Sequence, residues 1–125
     1  MTANQLVSQI AREIGGSGSA HLAMSIEEVR KYLPREISLR KLVYPKVAKD
    51  VGRETRAVER SVSRAVKSCW DYGNHAVIDE ALGIRFKHCP PPKKFILYLA
   101  YYLQYGIAYH KIKEAGDGRD YPLIF

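Results

Sequence analysis

Cysteine is nearly absent: the 125 residues hold only Cys69 and Cys89, with no CxxC spacing. That leaves no disulfide framework and no cysteine-built zinc site, so a reducing cytoplasm is the expected setting. The four histidines, His21, His75, His88 and His110, are scattered, and none stands at metal-ligand spacing to another or to a cysteine. His88 beside Cys89 is the one adjacent pair and reads as an unliganded loop. No glycine-rich phosphate loop, nucleophile elbow or paired-carboxylate arrangement is present. Neither catalysis, a metal, a cofactor nor a small-molecule substrate is expected. The amino terminus lacks the basic region and apolar core of a secretory signal. The apolar run from 95 to 109 contains Gln104 and Gly106 and falls short of the roughly 20 residues needed to cross a bilayer. There is little strand signal anywhere, which leaves an all-α fold.

What is present is positive charge, and it is concentrated. The chain carries 20 Lys and Arg against 13 Asp and Glu, a net charge of +7. Residues 30 to 67 hold twelve of those cations and only four of the anions, while the rest of the chain is close to neutral. A polyanionic partner explains such clustering, because each phosphate neutralised releases condensed counterions. Solubility alone would not localise it. With 46% apolar residues, a chain of this length builds one modest core, so residues 1–125 are expected to form one domain.

Within the basic stretch lies a helix-turn-helix pattern. A first helix begins near Ser38 and includes Leu39, Leu42 and Val43, followed by the apolar stripe Val47, Ala48 and Val51. Pro45 inside this run marks either a first turn or a kink. Ala48 is small enough for two helices to cross closely, and Gly52 can take the positive φ of the turn. Thr55 is then placed to cap a second helix running to about Trp70. In that helix Val58, Val62, Ala65, Val66 and Cys69 share one side. Arg56, Glu59, Arg60, Ser63, Arg64 and Lys67 occupy an arc of roughly 140° on the other. Four cations to one anion is the layout of a recognition helix rather than of a merely solvated face.

Elsewhere, Thr2 and Gln5 form a capping box ahead of Leu6, Val7, Ile10 and Ile14, and Gly15 and Gly16 stop that helix. Residues 15 to 19, GGSGS, read as an interhelical loop. A second helix covers about Ala20 to Leu33, with Leu22, Ile26, Val29 and Leu33 inward and Pro34 closing it. Ser25 and Glu28 offer an internal capping box that would start it later. Asp71 to Asn74 reads as a turn and His75 to Leu82 as a short helix ended by Gly83. Ile84 to Pro92 reads as irregular, and a last helix is predicted from about Lys93 to Glu114, followed by a tail over 116–125. On that last helix Ile96, Leu99, Ala100, Leu103 and Ile107 form one face, and Tyr98, Tyr101, Tyr102, Tyr105 and Tyr109 the opposite one. A helix apolar on both sides must bury both. Tyrosine suits a partner interface, so self-association through these five residues is expected, with cover by the apolar tail residues Tyr121, Leu123, Ile124 and Phe125 as the alternative.

LVYPKVAKDVG, VERSVSRAVKSCW with the following GN, and REIG at Arg12 to Gly15 together resemble the carboxy-terminal DNA-binding domain of the stage zero sporulation protein A family of regulators. The similarity covers about Ile10 to Leu103. It implies a six-helix, all-α domain of a bacterial, nucleoid-associated transcription regulator that reads a short box of double-stranded DNA in the major groove. The family's recognition helix carries Ser-Arg-Val-Glu-Arg where this chain has Arg56, Ala57, Val58, Glu59 and Arg60. Glu59 and Arg60 therefore match base-reading positions: a carboxylate accepts from cytosine N4, and a guanidinium pairs bidentately with guanine. Ala57 replaces the other base-reading arginine, so the box is expected to be altered. Arg53, Arg56, Ser63, Arg64 and Lys67 are assigned to phosphate. Family members usually carry a receiver domain ahead of this one. Either this is a piece of a longer chain or a stand-alone relative, and Met1 with the cap at Thr2 leans toward the second. The alternative function is a protein-interaction module that keeps the fold and pairs with a full-length regulator, or with itself, through the tyrosine-rich helix.

Overall fold

The computed structural model describes residues 1–11 and 17–109. Six α-helices follow in order: α1 Ala3–Ala11, α2 Ser17–Tyr32, α3 Tyr44–Val51, α4 Thr55–Tyr72, α5 His75–Leu82 and α6 Pro92–Tyr105. A single π-helical turn, Leu39–Val43, precedes α3. No strand occurs among the described residues, and the all-α expectation holds.

α1 starts at the predicted capping box. The Thr2 N–H donates to Gln5 Oε1 at 2.8 Å, and the Gln5 N–H donates to Thr2 Oγ1 at 3.2 Å. Leu6, Val7 and Ile10 are buried. α2 is the hub of the fold, packing against α1, α4 and α6. It begins at Ser17, earlier than the glycine-serine composition suggests, and Gly18 lies inside it. A Cβ on Gly18 would stand 3.3 Å from the Ser61 carbonyl oxygen and 3.5 Å from Ala65 Cβ, so this glycine serves close helix approach rather than a loop. Ser25 is no cap either. It is fully buried within α2, and its hydroxyl donates to the His21 carbonyl at 2.8 Å. Leu33 falls outside the helix and is half-buried.

Pro45 occupies the first turn of α3, where its missing N–H goes unneeded. The helical path before it widens to make room. Ser38 caps the π turn by accepting from the Lys41 N–H at 3.1 Å, and the Tyr44 N–H reaches back five residues to the Leu39 carbonyl. An unbroken α-helix would drive the proline ring into the carbonyl four residues earlier. α4 runs to Tyr72 and is followed by a tight junction. The Gly73 N–H donates to the Cys69 carbonyl, and the Asn74 N–H donates across to the Ile10 carbonyl at 2.8 Å. Asn74 then caps α5 by accepting from the Ala76 N–H, and Gly83 ends α5 at φ 77°.

α6 is shorter than periodicity predicts. It ends at Tyr105 because Gly106 takes a left-handed φ of 71°, and its N–H closes on the Tyr102 carbonyl. Around its circumference Phe95, Ile96, Tyr98, Leu99, Ala100 and Tyr101 are all buried, so α6 runs through the core rather than over it. The expected tail over 116–125, the end of the last helix toward Glu114, and Ile14 to Gly16 lie outside the described residues.

One polar contact ties α2 to α4. His21 is 4% exposed, and its Nδ1 lies 2.9 Å from Ser61 Oγ. Burial first, and the charge of Arg53 second, hold the imidazole below its ordinary value of 6.5, so it stays neutral. Because its folded value is depressed, the stability it contributes is present above pH 6.5 and is lost as pH falls below it. Thermal melts from about pH 7.5 to 5.5 should show the wild type losing up to about 1.4 kcal/mol per pH unit, and His21→Gln losing less. At the α4–α5 junction, a Cβ on Gly73 would lie 2.8 Å from the Ile10 carbonyl oxygen and closer still to that of Cys69. Urea unfolding of Gly73→Ala should therefore show destabilisation of about 2 to 3 kcal/mol, and an unchanged midpoint would refute the close packing.

Candidate nucleic-acid interface

α3 and α4 form the helix-turn-helix, joined by Gly52, Arg53 and Glu54. Val47 and Ala48 are buried, α3 packs against α4, and Ala48 is small enough for a close crossing. Gly52 adopts φ 70°, the left-handed conformation that its position in the turn predicts. Both the Gly52 and the Arg53 N–H close on the Ala48 carbonyl, which satisfies the end of α3. The start of α4 differs from expectation. Glu54, in extended conformation, is the capping residue and makes no side-chain cap bond, while Thr55 is the first helical residue. Its hydroxyl sits one position too far along to do the capping.

The inner side of α4 consists of Val58, Val62, Ala65, Val66 and Cys69, the set that the 3.6-residue period selects. Ser61 joins them as the partner of His21. On the outer side, Arg53, Arg56, Arg60, Ser63, Arg64 and Lys67 are exposed, and Glu59 is half-buried. Arg56, Arg60 and Arg64 stand four residues apart in succession, and none of them makes an ion pair among the described residues. Like charges at that spacing repel by a few tenths of a kcal/mol per pair. No ion pair among the described residues offsets this repulsion.

Two assigned residues have partners. The Lys67 ammonium lies 2.9 Å from Asp71 Oδ2 on the same helix, and hydrogen bonding to Asp71 raises its pKa. Any other anion that Lys67 meets would therefore compete with Asp71. Glu59 is held by Arg40, whose Nε lies 3.2 Å from Glu59 Oε2. Arg40 belongs to the π turn ahead of α3. In the sequence it is one more cation of the basic stretch, because no periodicity links residue 40 to residue 59.

The Arg40–Glu59 pair stands at a cleft of about 590 Å³ between the π turn, α4 and the start of α6. Tyr44 lines it, 3% exposed, and its phenol is pushed up to about 12 by burial and by the Glu59 charge, opposed by Arg40. It is a neutral hydroxyl at any physiological pH. Ser63 and the segment Pro91 to Lys93 complete the wall.

The five tyrosines do not share one environment. Tyr98 and Tyr101 are 9% and 4% exposed, so they belong to the core and present no surface to a partner. Tyr98 stacks on Tyr109 at 4.7 Å between ring centroids and lies 6.3 Å from Phe86. Tyr101 meets Tyr109 edge-on at 4.9 Å, and its hydroxyl donates to the Pro34 carbonyl at 3.4 Å. Tyr102, Tyr105 and Tyr109 remain half-buried. The rule that both faces of an apolar helix must be covered holds, but the chain itself covers most of the second face.

Among the described residues no cluster of His, Cys, Asp and Glu has a metal-binding arrangement, and no helix is long and apolar enough to cross a membrane. The model of the family described as sporulation initiation factor Spo0A C terminal matches residues 4–103. That span takes in all six helices up to Leu103 near the end of α6. The chain therefore belongs to the Spo0A carboxy-terminal family, the helical DNA-binding domain of sporulation regulators.

Proposed function

We propose that this chain is a sequence-specific regulator that reads a short box in the major groove with Glu59 and Arg60, anchored on phosphate by Arg53, Arg56, Ser63, Arg64 and Lys67. The observation that carries the reading is the run of three guanidinium groups, Arg56, Arg60 and Arg64, without ion-pair partners among the described residues along the outer side of α4. Facing a phosphate backbone, each gains an attraction that outweighs this mutual repulsion. Glu59, on the flank of that stripe, is the one anion among them and suits a base donor rather than a phosphate. Ala57 stands at a family base-reading position without a donor, so the box departs from the family's.

Fluorescence anisotropy of the chain on a family-type box and on a scrambled duplex, repeated across salt concentrations, tests this reading. Affinity should favour the box and fall steeply with salt, with a slope near 0.9 per phosphate neutralised, and equal affinity for the two duplexes would remove the readout. No binding at low salt would remove the proposal altogether. Within the surface, Arg60→Ala should relax sequence preference at a cost of about 1 to 3 kcal/mol, whereas Arg64→Ala should weaken all duplexes alike and lower the salt slope by about one. Indistinguishable behaviour of the two variants would abolish the division into base and phosphate contacts.

Self-association belongs to the same reading, narrowed by burial to Tyr102 and Tyr105 on α6 and Tyr109 just beyond its end. The double variant Tyr102→Ser and Tyr105→Ser leaves the buried Tyr98 and Tyr101 in place, so it should keep the fold. Light scattering coupled to sizing chromatography, with and without duplex, should show a dimer in the wild type that this variant loses. A wild-type monomer in both conditions would dismiss the interface.

A further inference from the structure

Arg40 lies outside the recognition helix yet touches its most distinctive residue. Its Nε is 3.2 Å from Glu59 Oε2, and the two side chains are 80% and 33% exposed. The contact uses one of five guanidinium donors and one of two carboxylate oxygens. Four donors and an acceptor oxygen thus remain for other partners at one spot on the surface. The backbone carrying Arg40 is well anchored, by the Ser38 cap before it and the wide turn into α3 after it.

An exposed ion pair of this kind contributes little to stability, so the fold does not explain it. The chemistry of the surface does. Glu59 stands beside Arg56, Arg60 and Arg64 on a face that must approach phosphates, where a lone carboxylate would be repelled. A neutralised and oriented carboxylate can instead accept a hydrogen bond from a base.

We propose that Arg40 is a specificity-determining residue: it holds the Glu59 carboxylate in its reading position and cancels its charge against the DNA backbone. The proposal rests on the assignment of Glu59 to a base. Arg40 acts through Glu59 and is a positioning residue. It comes from a different element, so the reading surface extends beyond α4 to the π turn.

The experiment uses the full chain and the duplex it selects most tightly from a randomised pool. Affinities for every single base-pair change in that duplex are measured for the wild type, Glu59→Ala, Arg40→Ala, Arg40→Gln and the double alanine variant. Glu59→Ala should flatten discrimination at one position. Both Arg40 variants should flatten the same position by about threefold or more and leave the others intact, and the double variant should be no flatter than Glu59→Ala alone. Two Arg40 substitutions guard against a local distortion produced by either one. A uniform loss of affinity in the Arg40 variants, with the profile unchanged, would make Arg40 a plain phosphate contact and overturn the proposal. Flattening at a different position would overturn it as well, by making Arg40 a base reader in its own right. If Glu59→Ala leaves the profile unchanged, the reading of Glu59 falls and this proposal with it. If Glu59→Ala alone changes the profile, only the role of Arg40 falls.

Discussion

The close crossing of α2 and α4 is the constraint on which the rest of the structure depends. Gly18 allows the two backbones to approach, and the His21 to Ser61 contact fixes how α4 is rotated about its own axis. Rotation matters because the outer side of α4 is only a stripe. A turn of one residue's worth, about 100°, would bring Val58 and Val62 toward solvent and Arg60 toward the core. A polar contact with one buried member penalises such a slip more sharply than apolar packing does, since the buried His21 would lose its hydrogen bond inside the protein. α2 itself is held by α1 and α6, so the stripe rests on a three-helix support.

That support carries a surface which is electrostatically unsatisfied in the free protein. Arg30, Lys31 and Lys46 pair with Glu27, Glu28 and Asp50, so most cations on α2 and α3 are balanced locally. On α4 only Lys67, among the described residues, has such a neighbour, at the far end near Asp71. The contrast separates charge that solvates the fold from charge held ready for a partner. It also sets an order within the proposed site. Arg56, Arg60 and Arg64 are available at once, while Lys67 must first leave Asp71.

Much of this is legible in the sequence, wherever the determinant is local. The five apolar positions of α4, the capping box at Thr2 and Gln5, the left-handed Gly52 and the turn at Gly83 all follow from periodicity or from one residue's stereochemistry. Sequence and structure part where a local signal has two meanings. Gly18 has the composition of a loop but serves helix approach, and Thr55 has the chemistry of a cap but sits one residue inside the helix. Gly106 lies in an unbroken apolar pattern and still ends α6. Tyr98 and Tyr101 are invisible as core residues in the sequence because Phe86 and Pro34 come from other parts of the chain, and because Tyr109 reaches them only after the helix ends at Gly106. The Arg40–Glu59 pair is hidden for the same reason.

Two features of α4 and its approach share a common geometry in the folded chain. Ala57 removes a donor from one flank of the recognition helix. Glu59 lies about 200° away on the opposite flank, and it is there that Arg40 adds a cation from the π turn. On the reading proposed above, Ala57 in place of the family's arginine shortens the readable edge on that side. Arg40 lengthens the edge on the other. The guanidinium groups of Arg56, Arg60 and Arg64 lie between these two flanks, and Arg40 places a fourth toward the π turn and the cleft lined by Tyr44. On the reading proposed above, contact with DNA is weighted toward the π turn rather than toward the Ala57 side.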